Sequence, residues 1–438
     1  ELSVFGLSLK SKDRDFKEIF NSFLKNKNSI NNSVKDDVHR IIESVRNEGD
    51  RAVLEATNKF DDRRISAVDD LKISGDIIAS SLDRVDKKIV DAMFYSFERV
   101  LDFHKDQLSG IHLNSSKGPI GRRSRSLKRV AMYVPGGKAS YPSTVLMAAG
   151  PAISAGVDEL FLTTPWPHGS VNDLTLAAAY VAGIKNVYSI GGAQAIAAFA
   201  LGTESIPKVQ KIIGPGNQFV AEAKRQLYGE VGIDSIAGPS ELTVLADSHS
   251  DPITVSWDLM AQAEHDEMAS SVLVSTSEEF ITEVKSLIKK EVSLLSRSSI
   301  IKKSLCERGA AILAEDIEHA VSLVNQIAPE HVHVVTKDAS KDSRGIINAG
   351  LILSGSDSAN ALSDYVLGPS HILPTSGSSV FNSPLSVEDF IVHSSFINLD
   401  ESSKLDEYDE LIKNTSILAR AEGLTAHAIS AEIRKKKD

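Results

Sequence analysis

The sequence predicts an α/β fold: two tandem Rossmann-like domains with mainly parallel sheets, preceded by an N-terminal helical arm and followed by a helical C-terminal tail. Three observations predict it. From residue 130 onward apolar, strand-like runs alternate with helix-length segments, the order that builds βαβ units and parallel sheets. Ala155-Gly156-Val157 and Ala182-Gly183-Ile184 each place glycine where a helix stops and an apolar strand follows, at the spacing of one helix-plus-strand unit. With 438 residues, 42% hydrophobic and 24% charged, the chain has the profile of an ordered globular protein and the length of about three domains.

Before residue 130 the pattern is helical. Val34, Val38, Ile41, Ile42 and Val45 recur on one face of a helix that Gly49-Asp50 closes. Val130-Ala131-Met132-Tyr133-Val134 then reads as a buried strand ending in a forced loop, Pro135-Gly136-Gly137. Helices are expected at 143–156, 172–183, 193–203 and 217–228, with strands at 158–163, 186–190 and 210–214 between them. A second series follows: strand 242–246, helix 252–266, strand 271–275, helices 278–292 and 316–327, and strands 332–336 and 350–353. The last helix, 425–435, carries Ala426, Ile429 and Ile433 on one face, and its basic end Arg434-Lys435-Lys436-Lys437 suits the negative pole of a helix. The expected boundaries are 1–129 for the helical region, 130–238 and 239–375 for the two α/β domains, and 376–438 for the tail.

Charge and composition exclude several classes. Forty-eight Lys and Arg against 59 Asp and Glu leave a formal charge of −11, which repels phosphate backbones, so no nucleic-acid partner is expected. The basic cluster Arg122, Arg123, Arg125, Lys128 and Arg129 lies among Gly and Ser and reads as a solvated loop. Cys306 is the sole cysteine, which rules out an intrachain disulfide or a cysteine zinc cluster and suits a reducing compartment; cytoplasmic localisation is the expectation. The longest apolar stretch, 145–157, is interrupted by Gly150-Pro151 and is too short to span a bilayer, so no membrane partner is expected. The first residues lack the basic and apolar regions of a secretory signal.

Ligands of parallel sheets bind at strand carboxyl ends, and four Gly-Pro loops are expected there: Pro135-Gly136-Gly137, Gly214-Pro215-Gly216-Asn217, Gly238-Pro239-Ser240 and Gly368-Pro369-Ser370. Neither the Gly-x-Gly-x-x-Gly fingerprint nor a Walker phosphate loop occurs. Gln262 and His265 stand at i and i+3 of a predicted helix and could share a cation, the alternative being a solvated helix end. Pro329 ends a helix and delivers Glu330 and His331 to a strand, an adjacent acid and base suited to proton transfer and water activation. His333, on the same strand face, competes for that role, and a polar helix end is the plain alternative. Asp364 and His371 bracket a loop, and Glu422 and His427 stand at the start of the last helix; such donors suit zinc.

Together these segments resemble the histidinol dehydrogenase family. The matching runs are 133–137, Tyr141-Pro142-Ser143, Gly191-Gly192-Ala193-Gln194-Ala195-Ile196, Gly214-Pro215-Gly216-Asn217, Ile236-Ala237-Gly238-Pro239-Ser240-Glu241, Gln262-Ala263-Glu264-His265, Ala328-Pro329-Glu330-His331, Asp364-Tyr365 with His371-Ile372-Leu373-Pro374-Thr375, and Leu424-Thr425-Ala426-His427. They cover about residues 34–430 in order. The resemblance implies two NAD-dependent oxidations of L-histidinol, through L-histidinaldehyde to L-histidine, at a Zn2+ site shared across a homodimer that exchanges its tails. It implies Gln262, His265, Asp364 and His427 as zinc ligands, Glu330 as water activator and His331 as general base. Ser240, His371 and Glu422 would contact substrate, as would His331 and the zinc ligands, while Tyr133, Gln194 and Asn217 would contact NAD. The first α/β domain then becomes the NAD side and the second the zinc and catalytic side. Ser363 departs from the family's usual Gly, shifting that loop slightly while leaving Asp364 in place. Cys306 lies outside every matching run and is expected to be dispensable. The rivals are a paralogue acting on another small polar alcohol and a non-catalytic zinc scaffold.

Overall fold

The computed structural model describes residues 4–27, 34–111, 115–117, 119–136, 141–170, 172–399 and 407–435. Gly137, Lys436 and Lys437 of the motifs above lie outside the described residues. The chain divides into two compact units, Glu1–Leu108 with Leu127–Phe390 and Ser109–Ser126 with Ile391–Asp438.

Within the first unit the expected strand at 130–134 is Arg129–Tyr133, which pairs in parallel with Glu159–Thr163 on one side and Lys211–Ile213 on the other. Asn186–Tyr188 and Gly232–Ile233 extend the sheet, and the short strand Lys72–Ile73 closes one edge antiparallel. The chain steps outward from Arg129–Tyr133 in one direction, then resumes on that strand's other side. The strand order therefore reverses between Arg129–Tyr133 and Lys211–Ile213, and their carboxyl ends flank the crevice where open α/β sheets bind ligands. Gly214 closes this point at φ +104, and a Cβ there would stand 2.1 Å from the Tyr133 carbonyl oxygen, so only glycine fits.

A second sheet repeats the order, with Glu241–Ala246 in the middle. Ser270–Ser275 and Ala310–Leu313 lie to one side of it, His331–Val334 and Leu351–Ser354 to the other, all parallel. Side chains alternate between faces as a two-residue period requires. Leu242, Val244 and Ala246 pack with Val255 and Leu259 on one face, whereas Leu245, Val332 and Val334 pack with Leu323, Phe16 and Phe20 on the other. Each such fully buried Leu, Val or Phe contributes about 1.5–3 kcal/mol. Ala310–Leu313 and the edge strand Leu7–Lys10 were not expected from sequence: their conformation comes from pairing with each other and with Ser270–Ser275 rather than from a pattern of their own.

The stretch expected as a helical region is divided between the two sheets. Leu7–Lys10 pairs with Ala310–Leu313, and the helix Phe16–Lys27 buries Phe16 and Phe20 on the second sheet. The helix Lys35–Glu48, stopped by Gly49 at φ +54, instead buries Val38, Ile42 and Val45 in the core of the first sheet with Ile196 and Phe199. In the second unit, Ser115–Lys117, Ile120–Ser126 and Ile391–Ile397 form an antiparallel sheet, followed by the helices Tyr408–Ala421 and Thr425–Glu432. This corrects the reading of the basic cluster as a loop: Arg122, Arg123 and Arg125 belong to a strand, with the Arg123 guanidinium 3.4 Å above the Phe396 ring. Among the described residues no helix is long and apolar enough to cross a membrane.

Candidate active site

The helix Ile317–Ile327 ends at Ala328, which adopts φ +46 and donates its N–H to the Val324 carbonyl. A left-handed alanine costs about 1 kcal/mol, and Pro329 forbids another helical turn. Chain direction therefore changes here, and Glu330 and His331 enter the second sheet at its amino edge, 5% and 4% exposed. Gly238-Pro239-Ser240 precedes the neighbouring strand Glu241–Ala246 at the same edge, and Gly368-Pro369 follows the short helix Asn360–Tyr365. The expectation that all four Gly-Pro loops stand at strand carboxyl ends is thus corrected: Pro135-Gly136 and Gly214-Pro215 directly follow their strands, Gly238-Pro239 comes five residues after Gly232–Ile233, and Gly368-Pro369 follows a helix. The second sheet presents its acid and base from the side opposite to the usual one because a helix end, not a strand end, delivers them.

Glu330 Oε2 accepts the Glu241 N–H at 2.8 Å, and His331 Nδ1 donates to the Glu241 carbonyl at 3.0 Å. That bond fixes the tautomer, so Nε2 is the atom left to take a proton. It is buried without a hydrogen-bond partner and faces Asp364 Oδ1 at 3.7 Å. Burial alone would depress the His331 imidazole, but the carboxylates of Glu330 and Asp364 outweigh it and hold the group well above the usual range. Burial would raise the Asp364 carboxyl in turn, yet the imidazoles of His331, His371 and His265 pull it below the carboxylate range. His371 Nδ1 donates to the Asp364 carbonyl at 3.0 Å, and its Nε2 lies 3.2 Å from the Thr144 hydroxyl. Burial depresses His371, so a neutral ring accepting from Thr144 is consistent with both contacts.

Gln262 lies on the last turn of the helix Pro252–Ala263, 1% exposed, and its Nε2 is buried with no partner. The helix stops before His265, which corrects the reading of both residues on one continuous helix face; Glu264 is the cap, and His265 N donates to the Gln262 carbonyl at 3.3 Å. His265 is exposed. His333 does not join the site: Asp258 holds its Nδ1 at 2.9 Å and the Gly355 carbonyl its Nε2 at 2.8 Å. Ser240 is half-buried just before the strand, its carbonyl accepting from Ser270 N. Ser363 absorbs its departure from glycine by donating to the Asn360 carbonyl at 2.6 Å.

At the first sheet, Gly192 N donates to the buried Tyr133 hydroxyl at 3.2 Å, and burial lifts that phenol to about 12. A Cβ on Gly192 would meet the Gln194 side chain, itself 1% exposed. Asn217 has a structural task that the motif reading missed: it caps the helix Gln218–Leu227, accepting from Phe219 N and Val220 N. Glu422 and His427 belong to the second unit and are exposed. Glu422 caps the end of Tyr408–Ala421 rather than starting the last helix, while His427 is in its first turn. Sequence reasoning assigned no role to Glu241, Thr144 or Lys27. The first lies within a quoted motif, the second just after one, and nothing local marks the third.

A first sheet with a glycine-lined crevice at its strand reversal, and a second carrying a buried acid–imidazole pair, define an α/β protein with a nucleotide-type crevice and an acid–base site. The sequence profile of histidinol dehydrogenase matches residues 24–435. Histidinol dehydrogenase of Pseudomonas fluorescens strain Pf0-1 is 44% identical over 432 residues, 98% of this chain and 97% of that one. The enzyme of Neisseria meningitidis strain Z2491 is 41% identical over 98% of this chain and 99% of its own. The crystal structure of histidinol dehydrogenase from Elizabethkingia anophelis superposes with a TM-score of 0.90 at 29% identity, covering 99% and 98% of the two chains. The chain belongs to the histidinol dehydrogenase family, and it is a dehydrogenase.

Proposed function

We propose that this protein oxidises L-histidinol to L-histidine in two successive NAD-dependent steps at one Zn2+ site, in the cytoplasm. The observation that carries the reading is the buried pair Glu330 and His331, with the half-buried Asp364 carboxylate 3.7 Å from His331 Nε2 and His371 bonded to the Asp364 carbonyl. The primary alcohol loses a proton and a hydride to become an aldehyde. Water then adds to the aldehyde carbon, and loss of a second hydride and proton gives the acid. The Asp364 carboxylate, which otherwise favours the protonated ring, would be taken up as a zinc ligand, and His331, through Nε2, then takes the alcohol proton; Glu330 draws the proton from the attacking water. Two NAD each accept one hydride.

The donor set fits zinc. The Gln262 side chain through its amide oxygen, the His265 imidazole and the Asp364 carboxylate, whose proton affinity the neighbouring imidazoles lower, would supply three donors from one chain, with His427 of a second copy as the fourth. Among the described residues no three His, Cys, Asp or Glu of one chain form a metal cluster; the proposed set takes only His265 and Asp364 from those types in one copy. Zinc would orient the substrate's imidazole and amino nitrogens. Ser240, His371 and Glu422 would contact the substrate. The crevice at Tyr133 and Gly214, with Gln194 and Asn217, suits the dinucleotide, and a hollow of about 570 Å3 lined by Gly136, Pro165 and His168 adjoins it. In this reading 130–238 is the NAD side, 239–375 the catalytic side, and 376–438 the tail exchanged within a homodimer.

The test is stoichiometry. Limiting L-histidinol should yield two NADH and one L-histidine per molecule, with other amino alcohols turned over far more slowly. One NADH per substrate with free aldehyde accumulating would refute the two-step reading. Cys306 sits on the helix Ser298–Arg308, with no contact to Glu330 or His331 among the hydrogen bonds and ion pairs of the site. Cys306→Ala should therefore keep kcat within about twofold of the parent, as for substitutions away from catalytic groups; an inactive but folded variant would indicate thiol chemistry.

A further inference from the structure

We infer that Lys27, through a buried ion pair with Glu241, is a positioning residue that sets the geometry of both Glu330 and His331. The inference rests on the reading of those two residues as the acid–base pair. Both are registered on one residue: the Glu241 N–H holds Glu330 Oε2 at 2.8 Å, and the Glu241 carbonyl holds His331 Nδ1 at 3.0 Å. Glu241 opens a strand registered on Ser270, and its side chain ties that strand end to two further segments. Oε2 meets Lys27 Nζ at 2.6 Å, with the two side chains 4% and 5% exposed, and Oε1 accepts from Ser376 N at 2.9 Å.

Lys27 grips the site a second time. Its Nζ donates to the Ile327 carbonyl at 3.1 Å, and Ile327 is the last residue of the helix from which Ala328-Pro329-Glu330-His331 emerges. One ammonium at the end of Phe16–Lys27 thus ties the helix end that delivers the pair to the strand residue that aims it. Removing one partner of a buried ion pair leaves the other charge uncompensated, whereas a neutral isosteric pair is well tolerated. A shift near 1 Å in catalytic groups costs about 100-fold in rate. The sequence offers no hint of this, since Lys27 is 214 positions from Glu241.

The experiment compares Lys27→Met, Glu241→Gln, the double variant and Glu330→Gln in the full-length zinc enzyme, measuring kcat for histidinol and for histidinaldehyde, NAD affinity and Tm. Each single positioning variant should lose kcat by about 10- to 100-fold in both half-reactions, with NAD affinity unchanged. The double variant, which is neutral and retains an acceptor for Ser376 N, should regain about tenfold over Lys27→Met. It also keeps the test decisive should Lys27→Met fail to fold. A Lys27→Met enzyme with lowered Tm but parental kcat, or a folded double variant no faster than the singles, overturns the inference while leaving the catalytic pair intact. Full activity in Glu330→Gln would instead refute the reading of the pair itself.

Discussion

Glu330→Gln is expected to stop the reaction at the aldehyde. The amide keeps the shape of the carboxylate and can still meet the Glu241 N–H through its oxygen, so the fold and the His331 bond should persist. What it cannot do is take a proton from water. General-base assistance is worth about 10²- to 10⁴-fold, and histidinaldehyde oxidation should fall by that factor. The alcohol step, which draws on His331 Nε2, should fall much less. Rapid-quench measurement of one NADH per site from histidinol, followed by a stalled second turnover, would show the split. Equal loss in both halves would mean that Glu330 serves only to orient His331, from which it stands 3.6 Å away.

Asp364→Ala and His427→Ala should each be inactive alone and active when mixed. The proposed zinc set draws Asp364 from one chain and His427 from another, so a mixed dimer rebuilds one complete site and one doubly broken site. Random reassortment after mild dissociation puts half of the chains in mixed dimers, and recovery should approach about a quarter of parental activity for such a two-fold assembly. Zinc content should rise in parallel. If the mixture stays inactive while each variant is folded and dimeric, His427 serves the site of its own chain or none. Asp364 removal has a further consequence: it takes away one of the two carboxylates that hold His331 above its usual range.

The parallel architecture was readable because its causes are local. Val130 to Val134 is an uninterrupted apolar run, Gly156 and Gly183 end helices at positive φ, and the strands 159–163 and 241–246 fall within a residue or two of expectation. The same holds for the heptad-like face of Lys35–Glu48. The strands Leu7–Lys10 and Ala310–Leu313 were not readable, because four residues against a neighbouring strand owe their conformation to that neighbour rather than to a pattern of their own. The helix end at Ala263 was missed for a related reason: Glu264 and His265 have ordinary helical propensity, and no glycine or proline marks the stop.

The candidate site divides along the same line. Glu330 and His331 could be singled out because Pro329 and a following strand announce a change of direction, and Gln262, Asp364 and His371 through the motifs that carry them. Residue types and their order along the chain were enough to choose the chemistry: an acid, an imidazole base and nitrogen and oxygen donors without thiols. Folding alone decided which histidine keeps a ring nitrogen without a hydrogen-bond partner, since His331 and His333 share a strand face but Asp258 and the Gly355 carbonyl occupy both nitrogens of the latter. Folding also decided that the pair stands at the amino edge of its sheet, anchored on Glu241 by a lysine from the first helix. Chemical identity is a property of each side chain and is written in the order of residues; distance and burial are properties of segments far apart in the chain, and they exist only once the core has closed.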